Sequence, residues 1–215
     1  MSSSSLNSFY ARFGKRVLDT ALAAGALVAF SPALILVGLA VRAKHGRPVL
    51  LRQQRTGLGG RPFILNKFRT MTDERDANGT LLPDEQRITE LGRFLRETSL
   101  DELPELFNVV RGEMSLVGPR PLLHHYMQYY SASQHRRHWV RPGITGWAAV
   151  NGRNTTTWER RFELDEWYIE HVAFKTDVEI LLRTFGTVFS RQKVNPNGVT
   201  TMPEFRGNDL PSRDA

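Results

Sequence analysis

Cysteine is missing from this 215-residue chain, which excludes disulfides, thiolate catalysis and cysteine-ligated zinc and permits a reducing compartment. Acid is scarce relative to base: 22 Asp and Glu face 29 Lys and Arg, giving a net charge of +7 and a pI near 10.1. That balance favours polyanionic partners, whether nucleic acid, an anionic membrane surface or phosphorylated substrates. No DNA- or RNA-binding motif accompanies the charge, so nucleic acid is not expected as a partner. The Thr56 to Gly60 segment lacks both the Walker lysine and GxGxxG spacing and reads as a turn rather than a phosphate loop. There is no internal repeat. With 40% apolar and 24% charged residues, the chain suits one folded domain with its own core.

Long apolar runs are confined to one stretch, Val17 to Val41, whose single charge is Asp19. A straight helix rising about 1.5 Å per residue over that stretch would cover a hydrocarbon core of roughly 30 Å. Ser31-Pro32 interrupts it midway, where proline removes a donor and clashes with the preceding turn. Basic residues lie on both sides: Arg12, Lys15 and Arg16 before it, then Arg42, Lys44, Arg47, Arg52 and Arg55. The positive-inside bias draws both ends to the cytoplasm, which suits a re-entrant helix-break-helix whose freed backbone groups find partners such as Ser31 Oγ. Hydropathy alone favours a single-spanning anchor; a buried core helix is a third reading. A cleaved signal peptide fits poorly, because the run is long and basic residues follow it.

Residues 1 to 8 are serine-rich and expected to be without fixed structure. Arg47 to Gly60 and Arg61 to Met71 read as two strands around a glycine turn, and Asp73 to Asp84 as a polar loop. Glu85 to Glu97 has apolar residues at helical spacing; Leu103 to Arg111, Leu122 to Trp139, Trp158 to His171 and Asp177 to Arg191 are further helices. The last puts Val178, Leu181, Leu182, Phe185, Val188 and Phe189 on one face, a stripe that suits ordinary core or a membrane interface. Arg141 to Asn154 reads as extended and turn-rich. His124, His125, His135 and His138 hint at zinc, but on a basic surface without acidic partners they read as solvated.

Thr98 to Leu106 reads TSLDELPEL. Ser99-x-x-Glu102 matches a capping box, making Ser99 an N-cap and Glu102 its reciprocal partner. Pro104 favours a later start, near Glu102 or Leu103, because counted from a Ser99 cap it falls where an amide should already donate. Asp101 and Glu102 then stand at the positive end of a helix, where phosphate is also welcome. Two adjacent carboxylates repel an anionic substrate unless cations accompany them. Lys67, Arg69, Arg96 and Arg120 are the candidates, with Arg120 fixed between Pro119 and Pro121. Mg2+ commonly bridges one or two carboxylates and substrate phosphates, which makes Asp101 and Glu102 candidate metal ligands. A carboxylate can also attack phosphorus and form an acyl phosphate. On residue chemistry alone, a capped structural helix explains the segment equally well.

Taken together, KRVLD at Lys15 to Asp19, Ser31-Pro32, KFRTM at Lys67 to Met71 and TSLDELPEL resemble the bacterial sugar transferases called small monotopic phosphoglycosyl transferases. GEMSLVGPRPLL at Gly112 to Leu123, RPGITGWAAVNGRN at Arg141 to Asn154, and the Asp165, Tyr168 and Asp177 spacing continue the likeness to about Gly207. The resemblance implies an α+β, mainly helical fold. A re-entrant membrane helix, broken at Ser31-Pro32, would precede a compact cytosolic catalytic domain with amphipathic interfacial helices and a small β element. It implies a Mg2+-dependent enzyme of the cytoplasmic face of the bacterial inner membrane. The residue matching Asp101 attacks the β-phosphate of a UDP-sugar donor, releases UMP and holds the sugar phosphate. Polyprenol (undecaprenyl) phosphate then accepts it. Glu102 matches the other half of the dyad, assigned to metal binding and acceptor activation. The chain resembles the minimal catalytic form, without a larger N-terminal membrane extension. Its tail, VTTMPEFRG at Val199 to Gly207, resembles that of short members using UDP-diacetylbacillosamine, so an N-acetylated amino sugar is the expected donor class. Ala149 departs from the usual glutamine of the family.

The expected layout is a flexible N-terminus (1–14), a re-entrant helix (15–45), a catalytic domain (46–192) and a C-terminal tail (193–215). Membrane lipid is an expected partner and a homo-oligomer is compatible with the sequence. A non-catalytic membrane-bound adaptor of a glycan assembly complex is the competing functional reading.

Overall fold

The apolar run folds as two helices, α1 (Lys15–Ala29) and α2 (Ser31–His45), that meet at a 63° bend. The computed structural model describes residues 4–151, 157–189 and 204–207. Phe30 (φ −93°, ψ 7°) makes the break, one residue ahead of the Ser31-Pro32 pair expected to make it. Pro32 falls in the first turn of α2, where an amide has no intrahelical acceptor, so its missing N–H costs little. Ser31 Oγ donates to Val28 O at 2.8 Å and satisfies a carbonyl left over at the end of α1. No single helix among the described residues is long and apolar enough to cross a membrane. The bent pair leaves Val17, Leu22, Val28, Ile35, Leu36 and Leu39 exposed.

The foot of α1 is anchored by polar groups in the interior. Lys15 Nζ lies 2.5 Å from Asp177 Oδ2, and Asp19 accepts from Ser115 Oγ (2.6 Å) and the Leu116 amide (3.3 Å). Arg16 donates to the Val109 and Val110 carbonyls at 2.6 and 2.9 Å. The chain ahead of α1 departs from the flexible segment expected there. A 3-10 turn at Ser4–Asn7 and a π turn at Tyr10–Gly14 lead straight into the helix. The reason is tertiary: Leu6 and Tyr10 pack against the cluster of Val117, Tyr168, Val172 and Ile180, and Ser5 Oγ donates to Ile169 O at 3.0 Å.

The β element is two small sheets. β1 (Leu50–Thr56) pairs antiparallel with β2 (Pro62–Phe68), with Leu50 opposite Phe68 and Thr56 opposite Pro62. Phe63, Leu65 and Lys67 share one face by the two-residue period, and Phe63 and Leu65 pack on Leu106 and Val109. The second sheet is parallel: β3 (Ser115–Val117) lies beside β4 (Gly143–Thr145). The chains leaving these strands touch so closely that a Cβ on Gly146 would meet Gly118 O at 2.1 Å.

Two expected helices are broken. Glu85–Glu97 is α3 (Asp84–Arg87) and α4 (Glu90–Glu97), divided because Ile88 bridges to Met71 and Thr89 caps α4 through a bond from the Gly92 amide. Leu122–Trp139 is 3-10 at His124–Tyr129, a short α6 (Ala132–His135) and 3-10 again at Arg136–Trp139; the capping box Ser131-Gln134 restarts it. α5 (Glu105–Arg111) follows the TSLDELPEL turn. The stretch expected to be extended holds α7 (Trp147–Asn151), on which Ala149 is exposed; 152–154 lie outside the described residues.

α8 (Trp158–Glu170) and α9 (Phe174–Phe189) complete the body. α9 buries Ile180 but exposes Phe174, Leu182 and Phe185, so its apolar stripe is largely not core. The side chains of Val188 and Phe189, and residues 199–203 of the tail motif, lie outside the described residues. Phe205 is buried among Tyr126, Tyr130, Trp158 and Phe162, which ties the tail to the body at 204–207, a segment without helix or strand.

Candidate active site

Ser99 is the only non-glycine residue among those described with a left-handed backbone (φ 56°), and it turns the chain sharply after α4. Its side chain makes no cap hydrogen bond; a 3-10 turn, Leu100–Glu102, follows it, and α5 starts only at Glu105 with Pro104 as its N-cap. The capping-box account of this segment fails on that geometry. Asn108, fully buried, fixes α5 to β2: its side-chain nitrogen donates to Ile64 O at 2.7 Å while its oxygen accepts from the Asn66 amide at 3.2 Å. The turn and the Phe63-Leu65-Lys67 face of β2 are thereby held against each other.

Lys67 Nζ lies 2.5 Å from Glu102 Oε1 and 3.1 Å from Glu105 Oε1. Arg120 Nη2 reaches the same Glu102 oxygen at 2.8 Å from a side chain still 49% exposed. Arg96 donates from Nε to Thr70 Oγ1 at 3.1 Å, and its charge is felt at Asp101. Arg69 is not brought here. It donates to the carbonyls of His45 and Pro48, pairs with Asp73 at 2.8 Å, and borders a separate cavity of about 540 Å3 along β1.

The acids differ in state because their surroundings differ. Asp101 is buried, accepts no hydrogen bond among the described residues, and has its carboxyl pushed up to about 6 by burial and then by Glu102, against Lys67, Arg96 and Arg120. Burial would raise Glu102 as well, but Arg120 and Lys67 outweigh it by charge and hydrogen bonding and hold it well below the ordinary carboxylate range. Glu105 was not anticipated as part of the site. Its side chain is 3% exposed, burial and then Glu102 raise its carboxyl, and Lys67 lies 3.1 Å from its Oε1. The signal was present in the sequence: Glu102 and Glu105 are three residues apart, which aligns side chains along a 3-10 turn.

Arg120 is positioned from behind. Arg137 Nη2 donates to the Arg120 carbonyl and to Asp165 Oδ2, both at 2.8 Å, and the Arg137–Asp165 pair is sealed at 2% and 3% exposure.

No group of three or more His, Asp or Glu side chains that could hold a metal occurs among the described residues. His125 pairs with Glu204 and His124 meets Thr56, so the histidines gather no zinc set. Magnesium asks less of a protein, since it keeps waters and takes phosphate oxygens beside one or two carboxylates. The Asp101 carboxylate, which accepts no hydrogen bond among the described residues, forms with Glu102 a hard-oxygen pair of that kind.

The model of the bacterial sugar transferase family matches residues 10–191. The chain is 48% identical over 194 residues to an uncharacterized sugar transferase, EpsL, of Bacillus subtilis (strain 168), covering 90% of this chain and 96% of that one. It is 43% identical to the UDP-glucose:undecaprenyl-phosphate glucose-1-phosphate transferase of Caulobacter vibrioides, covering 82% of this chain and 70% of the relative. It is 42% identical to the protein of that name in Escherichia coli (strain K12), covering 83% of this chain and 40% of the relative. The chain thus spans about two-fifths of the length of some relatives it matches and nearly all of EpsL. With the match running from Tyr10 through the dyad turn and Arg120 to the end of α9, this chain belongs to the bacterial sugar transferase family.

Proposed function

We propose that this protein moves a sugar 1-phosphate from a UDP-sugar to undecaprenyl phosphate, with Asp101 as the nucleophile. The observation that carries this is a buried carboxylate that accepts no hydrogen bond among the described residues, beside a second acid that Lys67 and Arg120 keep ionised. An Asp101 oxygen bonds to the β-phosphorus of the donor while the bond to the α-phosphate oxygen breaks, and UMP leaves with that electron pair. A phosphate oxygen of the acceptor then attacks the same phosphorus, expels Asp101 and gives the polyprenyl-diphosphate sugar. Asp101 and Glu102 would hold Mg2+, which when bound supplies charge neutralisation to acids and phosphates alike. Arg120 and Lys67 fix Glu102; Arg96 opposes the build-up of negative charge around Asp101.

The acceptor's lipid tail requires a membrane, and the bent pair is suited to enter one. Each arm is about 22 Å long, and two arms tilted equally at the observed bend bring Phe30 to a depth of about 12 Å, within one leaflet. Exposed apolar residues on both arms match hydrocarbon, and the basic residues flanking them keep both ends on the cytoplasmic face. The exposed stripe of α9 suits the interface. For the donor, the names of the Caulobacter and Escherichia relatives favour UDP-glucose over the N-acetylated amino sugar suggested by the tail motif.

The test is UMP release by the protein in lipid nanodiscs with undecaprenyl phosphate and Mg2+, across UDP-glucose, UDP-galactose, UDP-N-acetylglucosamine and UDP-diacetylbacillosamine. At least one donor yields UMP, and Asp101→Asn yields none. Silence across all donors, or an unimpaired Asp101→Asn, refutes the proposal. Tags near Ser5 and Lys193 that are both shielded from external reagents in intact cells support re-entry; exposure of the N-terminal tag alone shows a crossing.

A further inference from the structure

α8 carries Arg161 and Asp165 four residues apart, hence on one face. Asp165 holds Arg137, and Arg137 holds the backbone of Arg120, so this face of α8 stands behind the arginine that grips the dyad. Arg161 is partly buried, with its guanidinium carbon 5.3 Å over the Trp158 ring. Among the described residues its side chain makes no ion pair and no hydrogen bond. Arg55, also near Arg120, differs: it donates to Pro121 O and Gln53 Oε1. Asp165, the acid whose charge acts on Arg161, is already paired through Oδ2 with Arg137 at 2.8 Å. A partly buried guanidinium beside a second arginine, its donors unpartnered among the described residues, is ready to take an anion. Burial and then the charge of Arg120 push its pKa down to about 10, in keeping with a missing counter-charge.

We infer that Arg161 is a phosphate-binding residue of this site, holding the α-phosphate of the nucleotide donor, the group that departs as UMP. The inference rests on the proposed reaction. Arg120 is committed to Glu102 on the nucleophile's side, which leaves Arg161 for the leaving side, where negative charge grows as the phosphoanhydride bond breaks. Its planar fork fits two phosphate oxygens at once, and the Trp158 ring limits the orientations it can take.

The experiment measures UMP affinity by calorimetry, together with steady-state UMP release, for the full chain in nanodiscs as wild type, Arg161→Gln and Arg161→Lys. Arg161→Gln is expected to weaken UMP binding and raise KM for the UDP-sugar by roughly 10- to 100-fold, the effect of losing a charge-assisted pair of bonds. Arg161→Lys recovers part of the loss, and transfer from a preformed enzyme adduct to the acceptor stays at the wild-type rate. Melting temperature separates this from lost stacking on Trp158. If Arg161→Gln binds UMP within twofold of wild type, or if the Lys and Gln variants lose affinity equally and both melt early, Arg161 has only a structural role. If wild type turns over a UDP-sugar while Arg161→Gln keeps its KM and UMP affinity, this inference falls and the proposed reaction stands. If UMP binding depends on Arg161 but no UDP-sugar is consumed, the phosphate site stands and the reaction falls. A wild type that binds no UMP overturns the inference.

Discussion

Replacing Lys67 by Met removes the cation that lies between two acids. Lys67 Nζ is 2.5 Å from Glu102 and 3.1 Å from Glu105, and its side chain is 16% exposed. At an effective dielectric of 20 the gross attraction at the shorter distance is about 7 kcal/mol, most of it offset by desolvation of the pair. Breaking a buried pair from one side leaves the partner charge uncompensated and costs about 3–5 kcal/mol. Arg120 remains on Glu102, so the lower end applies, about 3 kcal/mol. For a chain of this length that is about 6–12 °C in melting temperature. The assay is thermal unfolding in nanodiscs at pH 8. Glu105→Gln added to Lys67→Met removes the stranded charge without changing shape, and is expected to restore at least about 1 kcal/mol, or 2–4 °C. UMP release stays low in the double variant, because Glu102 still lacks Lys67. A Lys67→Met protein that melts with wild type, or a double variant that gains nothing, refutes this account of the site.

Ser99 sits at φ 56°, where a β-branched side chain is strained. Ser99→Val is expected to lower the melting temperature by about 2–8 °C while Ser99→Gly stays within about 2 °C of wild type; equal effects would mean the turn is not held in that conformation. His138 is buried, and burial, then the charges of Arg137, His135 and His124, push its pKa down to about 3, against a hydrogen bond to the Gly57 backbone. The unfolded chain takes up this proton near pH 6.5 and the folded one does not, so stability is full above that pH and falls toward pH 3. Wild type should lose about 2 kcal/mol more than His138→Gln between pH 7 and pH 5, and parallel losses would show that His138 is protonated freely in the fold.

The parts of this molecule that were legible are those where local chemistry and tertiary structure agree. The two strands, α8, α9 and the Ser31 Oγ contact at the helix break follow from period, turn residues and capping. The broken helices were readable too, since Thr89 ahead of α4 and Ser131-x-x-Gln134 are cap signatures, but apolar spacing running through them masked the stops. Lys67 and Arg69 show where sequence runs out. Two residues apart, they share a strand parity, yet Arg69 lies just past β2 and turns to the carbonyls of His45 and Pro48. Only the path of the chain after α2 decides that. Glu105 was hidden for the opposite reason: its spacing from Glu102 was visible, but only the approach of Lys67 from β2 shows that the two acids share one cation. Arg161 was indistinguishable from its neighbour Arg160, which pairs with Glu163 on the surface, until α8 was seen against Arg137.

The central claim is that Asp101 bonds to phosphorus. Incubating the protein with UDP-sugar and Mg2+ in the absence of lipid phosphate, quenching, and mapping peptides by mass spectrometry tests it directly. The expected result is the mass of the donor's sugar phosphate added to Asp101, stoichiometric with UMP released and discharged by undecaprenyl phosphate. An unmodified Asp101 in protein that is turning over, or an adduct on another residue, contradicts it.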